Sequence, residues 1–272
     1  MKKSYFWCSS CLNVSTRPRI TFDNLGRCNA CQWVEEKRVL DWGKREKELQ
    51  KILNHYKSKD KGFDCIVPVS GGKDGSYVSY KLKHEYGMNP LTITITPALS
   101  LALGDSNLKS FVNSGYDHIQ INPDPKVMKI LNRTGFIEKG FPYYGWLMAI
   151  QSAILRMSIS LNVPLIFYGE DGELEYGGTT ENKNKSLHSV DYRDRIILEG
   201  GHDKVIEKSG LTREQLYFFL LPTEKELKSK DIKIAHWSYF ENWDPYRNYL
   251  VAKEHCGLGE GVNSNIGTFT NF

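Results

Sequence analysis

The pattern of apolar and polar positions along the chain changes character near residue 64. Before that point charged and polar residues dominate. The exception is DWGKREKELQKILNHYKSKDKG, in which Leu49, Ile52, Leu53 and Tyr56 recur at helical spacing; an amphipathic helix running into a polar linker is predicted there. From Asp64 onward short apolar runs alternate with helical patterns. DCIVPV, LTITIT, DHIQIN and PLIFYG are predicted as strands; SYVSYKLKHEY, NLKSFVNSG, KVMKILNRTG and the long apolar GWLMAIQSAILRMSISLN are predicted as helices. Strand and helix in regular alternation imply an α/β fold, a doubly wound parallel sheet with helices on both faces. In such sheets ligands bind beyond the carboxyl ends of the strands, where the strand order reverses. The organisation expected is an N-terminal module over 1–40, a linker helix over 41–62 and a main domain over 63–272.

Composition narrows this little. At 272 residues, 40% hydrophobic and 25% charged, the chain has the make-up of a folded protein. Its net charge of +4 is spread along the whole length, so no nucleic-acid partner is demanded. No run approaches the ~18 apolar residues of a membrane span, and MKKSYFWCSSC lacks the apolar centre of a signal peptide. A cytoplasmic protein is expected.

The cysteines change the picture. Cys8 and Cys11 form one CxxC pair, Cys28 and Cys31 another, and the 16 residues between them match the spacing of a zinc ribbon. Two knuckles joined by a hairpin, with Gly26 at a turn, place four thiolates around one Zn²⁺ and hold together a segment too small for its own core. Four cysteine ligands leave no open position for a substrate, so the site is expected to be structural.

The second signal is IVPVSGGKDGSYVSYKL, residues 66–82. Gly71 and Gly72 permit close approach, so their N–H groups can turn toward one concavity, and a helix starting around Ser76 adds its positive end. That describes an anion site. It is neither the G-x-x-x-x-GK-[ST] loop, in which lysine directly precedes the helix, nor the G-x-G-x-x-G fingerprint. Strand, SGGxD and a nearby serine resemble the pyrophosphate loop of the N-type ATP pyrophosphatases, which split ATP between its α and β phosphates. The commonest form of that loop is SGGxDS; here Gly75 stands between Asp74 and Ser76. Lys73 would offer charge to the leaving pyrophosphate, and Asp74 would help hold Mg²⁺.

Taken together, CSSC and RCNAC near the start, VSGGKDGSY, and the later YGEDGELEYGG resemble the N-acetyl sugar amidotransferase family, which is associated with acetamidino sugars of surface polysaccharides and with pseudaminic and legionaminic acids. The resemblance implies an adenine nucleotide alpha hydrolase-like sheet of the HUP type with an N-terminal zinc ribbon, and ATP, Mg²⁺ and Zn²⁺ as cofactors. It implies transfer of AMP to the acetamido oxygen of an N-acetylated sugar, as a nucleotide sugar or a nonulosonate, and replacement of that oxygen by ammonia nitrogen. Ser70, Gly71, Gly72, Lys73, Asp74, Gly75 and Ser76 would cradle the nucleotide, with Lys73, Asp74 and Glu170 catalytic. Glu173, Glu175, Tyr176 and Gly177 would meet the sugar, and Asp171 shares their rim. The aromatic stretch HWSYFENWDPY, ending at Tyr246, could line a sugar site or belong to the core. The family normally continues into a further helical region, whereas this chain ends at NIGTFTNF, so a shortened C-terminus is expected.

With four cysteines in the ribbon, Cys65 and Cys256 remain, and neither lies in a nucleophile elbow. Cys65 reads as a small residue buried in the first strand. A separate glutaminase subunit is therefore the expected source of ammonia. Two other readings stay open at this level. A tRNA-thiolating or tRNA-modifying enzyme shares the loop and often has zinc cysteines, but would call for further reactive cysteines and a dense basic face. A non-enzymatic nucleotide-binding module would leave the acidic, glycine-rich segment after Tyr168 unexplained.

Overall fold

Alternate residues of the apolar runs serve opposite faces of one parallel sheet, as the two-residue period of a strand requires. The computed structural model describes residues 5–58, 62–228 and 230–262; NIGTFTNF lies outside them. Along the chain come α1 (Asn29–Lys37), α2 (Trp42–Tyr56), β1 (Cys65–Pro68), α3 (Lys73–Tyr80), β2 (Pro90–Ile95), α4 (Ala102–Asn113), β3 (His118–Ile121), α5 (Pro125–Lys139) and α6 (Tyr144–Leu161). Then follow β4 (Leu165–Tyr168), α7 (Gly172–Tyr176), α8 (Asp203–Ser209), α9 (Glu224–Lys228), β5 (Lys233–His236) and α10 (Pro245–Cys256). The five strands pair in parallel, in the order β3-β2-β1-β4-β5, with Ile66 in register with Leu91 on one side and Ile166 on the other. The chain winds outward from β1 in one direction and from β4 in the other. The switch point therefore lies between those two strands.

Ile66, Ile93, Ile166 and Ile234 turn to one face, where Leu131 of α5 and Met148 and Ile154 of α6 cover them. Cys65, Val67, Leu165, Phe167 and Ala235 turn to the other, against Leu49 and Leu53 of α2, Val78 of α3 and Trp237. Covering both faces is what lets the strands be apolar throughout, and the predicted doubly wound α/β fold is the one found. Among the described residues no helix is long and apolar enough to cross a membrane.

Several elements differ from the pattern reading, each for a tertiary reason. The four-residue β5, with a lysine and a histidine at its ends, carries too short an apolar run to be seen. Helix α2 is more than a spacer, since Leu49 and Leu53 are buried in the main core. Helix α5 continues past Gly135, the residue at which its sequence pattern ends. A Cβ at Gly135 would lie 2.3 Å from Tyr144 Cβ, and one at Gly145 would lie 2.7 Å from Leu131 Cβ. Glycine stands inside this helix because α6 crosses at a distance no side chain allows. Gly135→Ala, a change that helps an ordinary helix, is accordingly expected to cost about 1–3 kcal/mol by overpacking. Urea unfolding of the variant checks the sign.

Candidate active site at the switch point

Beyond the carboxyl end of β1 the chain passes through Ser70, Gly71 and Gly72 and enters α3 at Lys73, three residues earlier than expected. Gly75 hid that start. It sits in the first turn because a Cβ there would lie 3.1 Å from Pro68 O and Val69 Cα, so the helix packs directly on the strand. Gly71 has φ +79°, and a Cβ on it would lie 2.5 Å from Leu108 N; α4 crosses the turn at a distance only glycine permits. Gly72, in extended backbone, caps α3 without a side chain. The first N–H groups of α3 and its dipole are therefore left to a ligand.

Ser70, Gly71, Gly72 and Lys73 form one wall of a cleft of about 320 Å³. Thr94 and Thr96 at the end of β2, Leu101 just before α4, Asn107 on α4, and Trp146 on α6 form the others. The Trp146 indole is held in place by donating to Ile95 O at 3.0 Å. Volume and mixed lining suit a nucleotide. Asp74, Gly75 and Ser76 do not line this cleft. Ser76 is 1% exposed and its hydroxyl makes no hydrogen bond.

Asp74 instead faces the second half of the rim. Its carboxylate accepts from Asn248 Nδ2 of α10 at 3.2 Å and pairs with Lys73 Nζ at 3.2 Å. The position of a Cβ at Gly169 lies 3.4 Å from Asp74 Cβ, so the loop after β4 comes right up to the start of α3. The next residue, Glu170, is pushed above the usual carboxylate range by burial and then by the Asp74 charge. It accepts from Tyr176 Oη at 3.2 Å. The start of α3 thus lies against the acidic segment, with the Asp74 and Glu170 carboxylates held close enough to repel. A dication is the natural partner for such a pair.

The N-terminal cysteines come together as predicted from their spacing. Cys8 Sγ lies 3.9 Å from Cys31 Sγ, Cys11 Sγ lies 3.6 Å from Cys28 Sγ, and all four sulfurs fall within 4.8 Å of one another. Sulfurs at ~2.3 Å from a tetrahedral ion would stand about 3.8 Å apart, so the set fits one four-thiolate metal ion. A cluster with an iron for each thiolate would hold them farther apart. Burial opposes ionisation, yet N–H groups of Cys28, Ser10 and Cys11 bring the Cys8 thiol down to about 6. Burial and the neighbouring sulfurs hold Cys31 up. Four thiols ionise together only around a cation.

This module docks on α7. Arg19 grips Glu173 with two hydrogen bonds of 2.8 Å and also pairs with Glu199. Trp33 Nε1 donates to Glu175 at 2.9 Å, and Lys37 Nζ pairs with Glu175 at 2.6 Å. Asn13 donates to Tyr176 O at 3.0 Å, Arg17 to Gly177 O and Asn29 to Gly178 O. Gly177 has φ +88°, and a Cβ on Gly178 would meet the Glu173 carboxylate at 2.1 Å. Of the four residues expected at a sugar, Glu173, Glu175 and Gly177 therefore hold the N-terminal module, while Tyr176 reaches Glu170. The Lys37–Glu175 pair is buried, its side chains 7% and 8% exposed. Lys37→Met, which leaves the buried Glu175 carboxylate without its cation, with the Trp33 indole N–H still donating to it, is expected to cost about 3–5 kcal/mol. A lowered melting temperature relative to the double variant Lys37→Met/Glu175→Leu is the check.

Asn248, the cleft wall and the Arg19 and Lys37 tethers escaped the reading of the sequence. Nothing local marks a helical asparagine as the partner of an aspartate 174 residues away. The aromatic stretch resolves toward core: Trp237, Phe240 and Trp243 are buried, and Tyr246 is exposed. Cys65 and Cys256 are also buried, and burial raises both thiols.

No known protein family's profile matches the chain. An uncharacterized protein of Methanocaldococcus jannaschii is 30% identical over 89 residues, 32% of this chain and 32% of that protein. Among solved structures, the U34-tRNA thiolase NcsA of Methanococcus maripaludis, with its 4Fe–4S cluster, is 15% identical with a TM-score of 0.41, covering 96% of this chain and 76% of its own. A predicted subunit of a tRNA methyltransferase from M. jannaschii is 14% identical with a TM-score of 0.33, covering 70% and 73%. The NH3-dependent NAD synthetase of Campylobacter jejuni, in complex with nitrate, is 18% identical with a TM-score of 0.36, covering 71% and 94%. At such scores no activity carries over, and the chain stands on its own geometry: a parallel α/β sheet with a glycine turn after its first strand, a nucleotide-sized cleft and a four-cysteine cluster that fits one metal ion.

Proposed function

We propose that the chain is an ATP-dependent, AMP-forming enzyme that activates a carbonyl oxygen. The observation that carries this is the uncapped glycine turn between β1 and α3, which forms one wall of the cleft and whose helix puts Asp74 beside Glu170. Adenosine would lie against Thr94, Thr96 and Trp146, and the two outer phosphates would take the N–H groups of residues 70–73. Lys73 stabilises charge as it develops on the leaving pyrophosphate. Asp74 and Glu170 would hold Mg²⁺, which when bound neutralises the outer phosphates. The α phosphate is left open toward the acceptor.

The acceptor we favour is the acetamido group of an N-acetylated sugar. Its amide oxygen is a poor leaving group; bonded to AMP it becomes a good one, so ammonia adds to the carbon, AMP departs with the oxygen, and an amidine remains. A nitrogen nucleophile fits the cysteines. Among the described residues, those outside the metal module are buried, and neither is placed to carry sulfur or to hydrolyse glutamine. Ammonia would come from a separate glutaminase subunit, and the ribbon ion would be Zn²⁺. A second reading, modification of a nucleobase carbonyl in tRNA, draws on Tyr5, Phe6 and Trp7, exposed on the metal module at 70%, 49% and 60%. Such rings can stack on bases.

Incubation with ATP, Mg²⁺, ammonium and a panel of acetamido sugars tests this. The expected result is AMP and pyrophosphate in step with a product about one mass unit lighter, an oxygen having given way to NH. AMP formed only with tRNA would select the second reading. Release of ADP would reject both.

A further inference from the structure

Behind the acidic helix lies a cluster that neither the cleft nor the ribbon uses. His236 ends β5 in register with Tyr168, Asp171 follows β4, and His188 is brought alongside by a bridge to Ile234. All three side chains are buried, their residues 5%, 3% and 5% exposed. His236 Nδ1 lies 3.2 Å from His188 Nε2 and 3.8 Å from Asp171 Oδ2, and one ligand atom from each lies within 4.8 Å of the other two. Asp171 Oδ1 caps α7 by accepting from Glu173 N at 3.1 Å; Oδ2 is buried and makes no hydrogen bond. A carboxylate oxygen in that position requires a partner. Beside it is a cavity of about 10 Å³, lined by all three residues and room for about one ion or water.

We infer that Asp171, His188 and His236 form a second metal site, for a single divalent ion of the Zn²⁺ class. Two imidazole nitrogens and one carboxylate oxygen are a donor set that such ions take. Donors at ~2.05 Å from a tetrahedral ion stand about 3.3 Å apart, so the 3.2 Å pair is already in place. The 3.8 Å pair closes with a small turn of the carboxylate. Arg193, close enough to act on Asp171 and His236, opposes a cation, and the Glu173 carboxylate acts in the other sense. An ion here ties the β4–α7 junction to β5 one residue after Glu170, so its role is to fix the direction of that carboxylate.

The test titrates the full chain, stripped by chelator under reducing conditions, with Co²⁺. The wild type is expected to take up two ions. One gives the intense charge-transfer absorption of four thiolates, and the other adds a weaker ligand-field absorption with no sulfur band. His188→Asn and Asp171→Asn are each expected to bind one ion with the sulfur band unchanged. A wild-type chain that binds a single ion overturns the proposal, and a buried water then fills the cavity. So do variants that still bind two. Should neither variant fold, the wild-type titration alone decides.

Discussion

Gly71→Ala is expected to lower AMP formation by about 10²–10³-fold, the loss typical of removing one well-aimed donor from a site of developing charge. Two features of this one residue combine. Its φ of +79° disfavours any side chain, and the added Cβ would lie 2.5 Å from Leu108 N and 2.7 Å from Leu108 Cα. Both are backbone atoms of α4, which cannot swing aside as a flexible side chain would. The turn must shift, and N–H groups aimed at the phosphates then miss them. The strands gain no clash, so circular dichroism should keep its native shape. Nucleotide affinity, measured by calorimetry, should fall together with turnover. A Gly71→Ala chain that binds ATP as tightly as the wild type would show that the turn is not the phosphate cradle. Lys73→Ala should lose turnover with its backbone intact, which separates charge from shape.

Removing the metal from the four-cysteine centre should release the whole N-terminal module while the sheet persists. The module's own core is Cys8, Cys28 and Ala30 with Ile20 and Phe22 against them, too little to fold a segment of that length. Binding of a structural Zn²⁺ contributes about 10–16 kcal/mol in zinc-finger peptides, and that is the term lost. The loss should travel. Arg19, Asn29, Trp33 and Lys37 anchor α7 and the glycines after it, so α7 loses its outer support and the Glu170 loop loosens with it. Hydrogen exchange should show faster exchange over residues 5–37 and 172–178, with β1, β2 and β4 still protected. Cys28→Ser should behave in the same way. Unchanged exchange over 172–178 in a chain shown to be metal-free would mean that the module is a passenger.

The position of the glycine turn was legible because glycines between an apolar strand and a helix mark a tight turn, and the turn lies where a parallel sheet binds ligands. The clustering of the four cysteines was legible because CxxC spacing is itself the geometry of a knuckle. Glu173 and Glu175 show the opposite. Their composition pointed to the rim, but not to their partners, since Arg19 and Lys37 lie more than a hundred residues away.

From the sequence alone come the parallel α/β sheet, the glycine turn after its first strand and the four-cysteine cluster, because each is written in short local patterns: apolar runs, a glycine pair and CxxC spacing. Tertiary structure decided that Glu170 comes beside Asp74 while Glu173 and Glu175 hold the ribbon, why Gly75 and Gly135 sit inside helices, and that Asn248 steadies Asp74. Those outcomes depend on how closely separate elements approach. That distance is set by packing across the sheet and has no local signature in the chain.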